Sequence, residues 1–217
     1  MMSISASNGL PLVGLCLLLT GCGGDPVAAL IRRLESADVA ERRAAAREFA
    51  ERTEADERAI GALAKAVADS DAEVRYLAAR ALGERRRAAR SSVPALERAL
   101  DDADARVRVQ AALAIQQIDP ANRNSAAVLI GAMRGGDGRV LLQVGAMGEE
   151  AAWAAPTLVE LLSHESAPLR ALAAQTLGRI GPAAGEAIPA LERAARDPNV
   201  AVRQAVREAL GRIRATR

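Results

Sequence analysis

Leucine recurs at positions 30, 63, 96, 129, 158 and 191, in steps of 33, 33, 33, 29 and 33 residues. A chain that repeats itself at such a period buries the apolar face of each unit against the next, so its fold is a stack of similar units. Eight residues after each leucine stand Asp38, Asp71, Asp104, Asp137, Ser166 and Asn199. All six are residue types whose short side chains accept hydrogen bonds from the unpaired amides of a helix's first turn. Three residues further on come Glu41, Val74, Val107, Val140, Leu169 and Val202, followed directly by Arg42, Arg75, Arg108, Leu141, Arg170 and Arg203. In the second unit Val74, Leu77, Ala78, Ala81 and Leu82 keep the spacing of one buried helical stripe. Pro94, Pro156 and Pro189 lie two residues before their leucines, where the missing amide of a first-turn proline costs a helix nothing. Each unit is therefore predicted to be a helix, a capped turn and a second helix.

Phe49, Tyr76 and Trp153 are the only aromatic residues in a chain that is 50% apolar, so alanine, leucine, valine and isoleucine must make the core. Alanine is the best helix former, and its small side chain lets helix axes approach to the lower end of the usual ~8 to 10 Å spacing. The predicted fold is all-α, an α-solenoid of six two-helix repeats. The 29 basic and 27 acidic side chains are interspersed, which describes a solvated surface and no nucleic-acid footprint.

The segments "VPALERALDDADARVRVQAALAI" and "IPALERAARDPNVAVRQAVREALGRI" resemble HEAT repeats, in particular the short HEAT-like repeats of bilin lyases. The resemblance covers about residues 26 to 217. It implies a scaffold that binds other macromolecules, in which the Asp residues cap helices and the Arg residues form a ladder along the stack. An enzyme or enzyme accessory of the bilin-lyase kind is the alternative that the same resemblance suggests. In HEAT-like stacks the second helices line the concave side. The solvent-facing positions there would carry Arg43 and Arg47, Tyr76 and Arg80, then Val109 and Leu113, and these six residues are the predicted protein-binding surface.

The first 22 residues, "MMSISASNGLPLVGLCLLLTGC", contain no acidic or basic side chain. Their apolar stretch from Leu10 to Leu19 is too short for the ~20 residues a membrane span requires, and it suits a signal-peptide core. It ends in Leu19-Thr20-Gly21-Cys22, which resembles the lipobox of bacterial lipoproteins, although the usual Lys or Arg at the amino end is missing. The resemblance implies cleavage before Cys22 and lipidation of its sulfur. The expected organisation is a signal peptide over residues 1–21, a lipidated tether over 22–25 and the repeat domain over 26–217. The address it implies is the bacterial cell envelope, facing the periplasm, on the outer membrane in preference to the inner. A cytoplasmic scaffold would follow if the signal were fortuitous. Asp25-Pro26 reads as a helix cap and a first-turn proline.

With Cys16 removed and Cys22 blocked, no thiol remains for a disulfide, a metal or a nucleophile. His164, the only histidine, falls in a turn, and "DDAD" around Asp102 and "RGGDGR" from Arg134 to Arg139 read as turns rather than ion or phosphate loops. The basic "ERRRAAR" from Glu84 to Arg90 reads as a solvated loop, with Arg85, Arg86 and Arg87 as a second place for a phosphate-bearing lipid or an acidic partner. No catalytic residue, metal ligand or cofactor is expected, and no small-molecule substrate or nucleic acid. The expected partners are protein and, through Cys22, the membrane. The fourth repeat is four residues short. Four residues turn a helix by one turn plus about 40°, so this repeat is expected to stack with a shortened second helix and to be the weakest unit.

Overall fold

The computed structural model describes residues 25–52 and 54–215. The predicted signal peptide, Cys16, Cys22 and most of the predicted tether lie outside the described residues. The chain forms twelve α-helices there: α1 (Pro26–Leu34), α2 (Val39–Glu51), α3 (Glu57–Ala66), α4 (Ala72–Glu84), α5 (Val93–Arg98), α6 (Ala105–Ile118), α7 (Arg123–Arg134), α8 (Gly138–Ala146), α9 (Ala155–Leu161), α10 (Ala167–Ile180), α11 (Ile188–Ala194) and α12 (Val200–Arg214). No strand occurs among the described residues. Odd and even helices are the first and second helices of six repeats. All six periodic leucines are buried, at 0 to 3% exposure. Short 3-10 segments at Arg86–Ser92, Gly148–Ala154 and Gly181–Ala187 join three of the repeats. Among the described residues no helix is long and apolar enough to cross a membrane.

The caps are where the repeat predicts them. Asp38, Asp71, Asp104, Asp137 and Asn199 each accept an amide hydrogen bond in the first turn of a second helix, and Asp25 does so for α1 beside Pro26. Ser166 differs, because its hydroxyl caps nothing. Its amide instead donates to Nδ1 of His164 at 3.0 Å. Asp69, Asp102 and Asp197 perform this service, each at 2.8 Å, for the capping residues of their own repeats. His164 is thus a turn residue, as expected, and it takes the structural part of an aspartate.

The arginine ladder is equally regular. Nη1 of Arg42, Arg75, Arg108, Arg170 and Arg203 donates to two carbonyls of the turn preceding its own helix, at 2.7 to 3.2 Å. The other edge of the guanidinium, Nε and Nη2, reaches the following repeat. Arg42 grips Asp69 there (2.8 and 3.1 Å), Arg75 grips Asp102 (2.6 and 2.8 Å) and Arg170 grips Asp197 (2.7 and 2.9 Å). Such two-bond forks are the strong form of an ion pair.

Second helices cross where their side chains are smallest. A Cβ on Gly178 of α10 would lie 2.8 Å from the Ala209 backbone of α12, one on Gly83 of α4 would lie 3.0 Å from the Ala114 backbone of α6, and one on Gly145 of α8 would lie 3.4 Å from the Thr176 side chain of α10. The corresponding residue of α6 is Gln116, fully buried, whose Nε2 donates to Asn122 O and Ser125 Oγ at 2.8 Å each. A glutamine cannot sit in such a crossing. It ties the start of α7 to α6 instead, and α8 touches α6 very little while packing along α10. The expectation that the fourth repeat stacks is therefore half right. The second helices form two blocks, α2-α4-α6 and α8-α10-α12, with the discontinuity between α6 and α8.

The carboxylates of this framework make a pH prediction. Arg43 beside Asp71, Arg58 beside Asp56 and Arg106 beside Asp104 hold those carboxyls at about 2, against an ordinary value of 3.8. Each folded-state pKa is lower than the unfolded one, so the unfolded chain binds more protons in acid. Their contribution is complete above about pH 5 and is lost as the pH falls through 4 towards 2. Thermal melts should show a plateau near neutrality and a steep fall below about pH 4. A melting temperature unchanged down to about pH 2 would contradict this.

Candidate binding cleft

The parting of α6 from α8 opens a cleft of about 800 Å³. Helix α6 supplies Arg106, Arg108 and Val109, with Tyr76 and Glu73 reaching in from α4. The opposite wall is Val128, Gly131 and Ala132 of α7 with Arg139, Val140 and Gln143 of α8. The size is that of a small-ligand or side-chain pocket. Apolar walls with a few polar groups at the rim suit the side chains of a docked segment better than bulk water.

The rim charges are mostly spoken for. Nη2 of Arg106 donates to Asp104 at 2.8 Å, and its Nη1 lies 3.8 Å from Glu73. Arg139 is 3.6 Å from Asp137. Arg108 is different. Its Nη1 holds the carbonyls of Asp102 and Ala103 as every ladder arginine does, but position 135, which is 27 residues further on, is glycine. The paired rungs join residues 27 apart and have aspartate there. Leu141 likewise replaces the ladder arginine in the fourth repeat and is fully buried. The turn itself is rebuilt: Asp137 N–H donates to Ala132 O (3.1 Å) and Gly136 N–H to Met133 O (2.9 Å), with Gly136 at φ 80°. That is a Schellman closure, which needs a residue tolerant of positive φ. The "RGGDGR" segment is thus a turn, as the sequence suggests, and one closed by two backbone hydrogen bonds.

Of the six residues predicted for the binding surface, the cleft brings together Tyr76 and Val109, both half-buried. Arg47 and Arg80 are exposed on their helices. Arg43 is exposed but engaged, its Nε and Nη2 donating to Asp71 at 2.9 and 2.6 Å. Leu113 must be withdrawn as a surface residue, since it is only 4% exposed. Helix α7 lies along α6 and encloses it on a side that α4 leaves open to solvent at Arg80. The basic segment needs a similar correction. Arg85 is 5% exposed, donates from Nη1 to Phe49 O (3.1 Å) and Ala81 O (2.6 Å), and lies over the Phe49 ring. Burial lowers its pKa. Arg86 and Arg87 alone of the three remain at the surface, in a 3-10 turn. Arg108 was legible only as a ladder member. The signal that sets it apart is the missing aspartate 27 residues later.

Comparison with known proteins places this geometry. The family profile described as HEAT repeats matches residues 27–116, 62–148 and 155–217. No curated protein is recognisably similar in sequence. Among solved structures, the complex of CpcE and CpcF of phycocyanin lyase from Nostoc sp. PCC7120 is similar over 96% of this chain and 82% of that one, with 24% identity and a TM-score of 0.56. An engineered protein matches over 88% of this chain and 97% of its own, with 23% identity and a TM-score of 0.56. A designed armadillo repeat protein matches over 86% and 99%, with 22% identity and a TM-score of 0.53. At these identities the likeness is one of fold.

Proposed function

The chain belongs to the HEAT-repeat family, and from that premise we propose that it is a non-catalytic protein-binding scaffold held by lipid at the bacterial cell envelope. The observation that carries the binding part is the allocation of side chains. Caps and ladder rungs absorb most of the carboxylates and guanidiniums of the turns, while a formed cleft with Tyr76 and Val109 in its walls is left open. Tyr and Arg are enriched among residues that dominate binding energies, and Arg80 stands exposed one turn beyond Tyr76 on α4.

The anchor rests on Leu19-Thr20-Gly21-Cys22. On this reading residues 1–21 are removed, 22–25 form the tether and the repeats begin at residue 26. Helix α1 starts at Pro26, so the tether reaches ~10 Å and the first repeat lies against the bilayer. Gly23 follows the acylated cysteine, and a residue other than Asp at that place accompanies outer-membrane sorting in enterobacterial lipoproteins.

Two readouts on the full chain test the proposal. Palmitate labelling should mark the wild type and be lost in Cys22→Ala; an unlabelled wild type removes the anchor. A photo-crosslinking residue at Arg80 should capture a discrete protein in cells that the same residue at Arg193, exposed on α11, does not. Identical capture patterns at both positions, or none, would remove the binding face.

A further inference from the structure

We propose that the cleft between α6 and α8 receives an acidic side chain of a protein partner, and that the vacant rung at Arg108 is what recognises it. The inference rests on the protein-binding reading and names the chemistry of the partner. Three ladder arginines show what this side chain does in this fold: Nη1 fixes the guanidinium to two carbonyls, and the Nε/Nη2 edge grips a carboxylate of the next repeat. At Arg108 the first half of that arrangement is intact, at 2.7 and 3.2 Å, so the guanidinium is fixed in orientation before any ligand arrives. The second half is missing. Gly135 has no side chain to offer, and among the described residues no carboxylate lies within ion-pair distance of Arg108.

Arg108 itself lines the cleft. A planar, pre-oriented fork is selective for a carboxylate over an amide or hydroxyl, since only the carboxylate offers two charged acceptors at matching spacing. At Arg108 the vacancy coincides with a cavity. Tyr76, Val109 and Val128 beside it ask for apolar neighbours on the incoming segment. The occupant is therefore an Asp or Glu flanked by apolar residues, presented by another protein as Asp69 and Asp102 are presented within this one.

The test uses two capped peptides, acetyl-Leu-Ala-Asp-Ala-Leu-amide and its Asn twin, with the purified full chain and the Arg108 Nε–H resonance as readout. The Asp peptide should shift that resonance and bind at least about ten-fold more tightly than the Asn peptide, since charged forks are roughly twice as strong as neutral hydrogen bonds. Arg108→Gln, which has no such resonance and is followed by titration calorimetry alongside the wild type, should abolish the preference. Because that change also strips the turn of two hydrogen bonds, Gly131→Trp is the second variant. Position 131 lines the cleft, is exposed, and has nothing within 4 Å of a new Cβ, so the indole should fill the cavity in a folded protein and block the peptide. Equal binding of the two peptides, no binding of either to the wild type, or undiminished binding to Gly131→Trp would overturn the proposal. The parent reading fails separately. If the Arg80 crosslink still captures its protein from Gly131→Trp cells, the scaffold stands and the carboxylate site falls; if the crosslink captures nothing in any chain, the peptide result alone decides the site.

Discussion

Gly178→Leu is expected to destabilise the protein by about 3 kcal/mol, the upper end of what overpacking costs. The Cβ alone would come within 2.8 Å of the Ala209 backbone, and backbone cannot swing aside as a side-chain tip can. Relief requires α10 and α12 to separate, which strips contacts from Leu177, Val206 and the rest of that fully buried seam. The matched control is Gly211→Leu. Gly211 holds the equivalent place in α12, is exposed and has nothing within 4 Å of a new Cβ. There the substitution should stabilise by up to about 0.8 kcal/mol, through helix propensity alone. Denaturant midpoints of the two variants should move in opposite directions, and parallel shifts would show that the crossing does not set the packing distance.

The second large effect is expected at the central rung. Arg75→Ala removes both bonds to Asp102 and both to the turn carbonyls of Asp69 and Ser70. It leaves behind a carboxylate whose side chain is only 9% exposed. Stranding a largely buried charge in this way should cost about 2 to 3 kcal/mol, below the full penalty for a buried pair because some water still reaches the site. Arg108→Ala, which strands no carboxylate, should cost about 1 kcal/mol through its two carbonyl bonds. Equal losses in the two variants would mean that the rung between repeats adds nothing to the turn it closes.

Much of this was legible in the sequence for a simple reason. Caps, first-turn prolines and periodic leucines are decided within a single repeat, so Asp71, Pro94 and Leu96 declare their roles to anyone who aligns the chain with itself. The failures lie where a role depends on the neighbouring repeat. Leu113 occupies the register of exposed Arg80, and only the placement of α7 along α6 buries it. Arg85 sits in a run of basic residues, yet the ends of α2 and α4 draw it inside. Ser166 has the right chemistry for a cap and is relieved of it by the helix start around it. The cleft was the least legible feature. It follows from Gln116 standing where other repeats have glycine or alanine, and from Gly135 standing where three others have aspartate. Each is unremarkable alone, and only the three-dimensional crossing shows why they matter together.

The break between α6 and α8 bears on how the chain folds. Contacts in a repeat array are local, reaching little beyond the next unit, so the loops closed on folding are short and the rate is set by local encounters. An unbroken ladder would let order spread from any starting point to both ends. Here propagation meets a junction with neither a rung nor a tight helix crossing, so the α2-α4-α6 and α8-α10-α12 blocks can each nucleate on their own. Refolding should then proceed in two kinetic phases, with the docking of α7 and its Gln116 tether as the event that joins them.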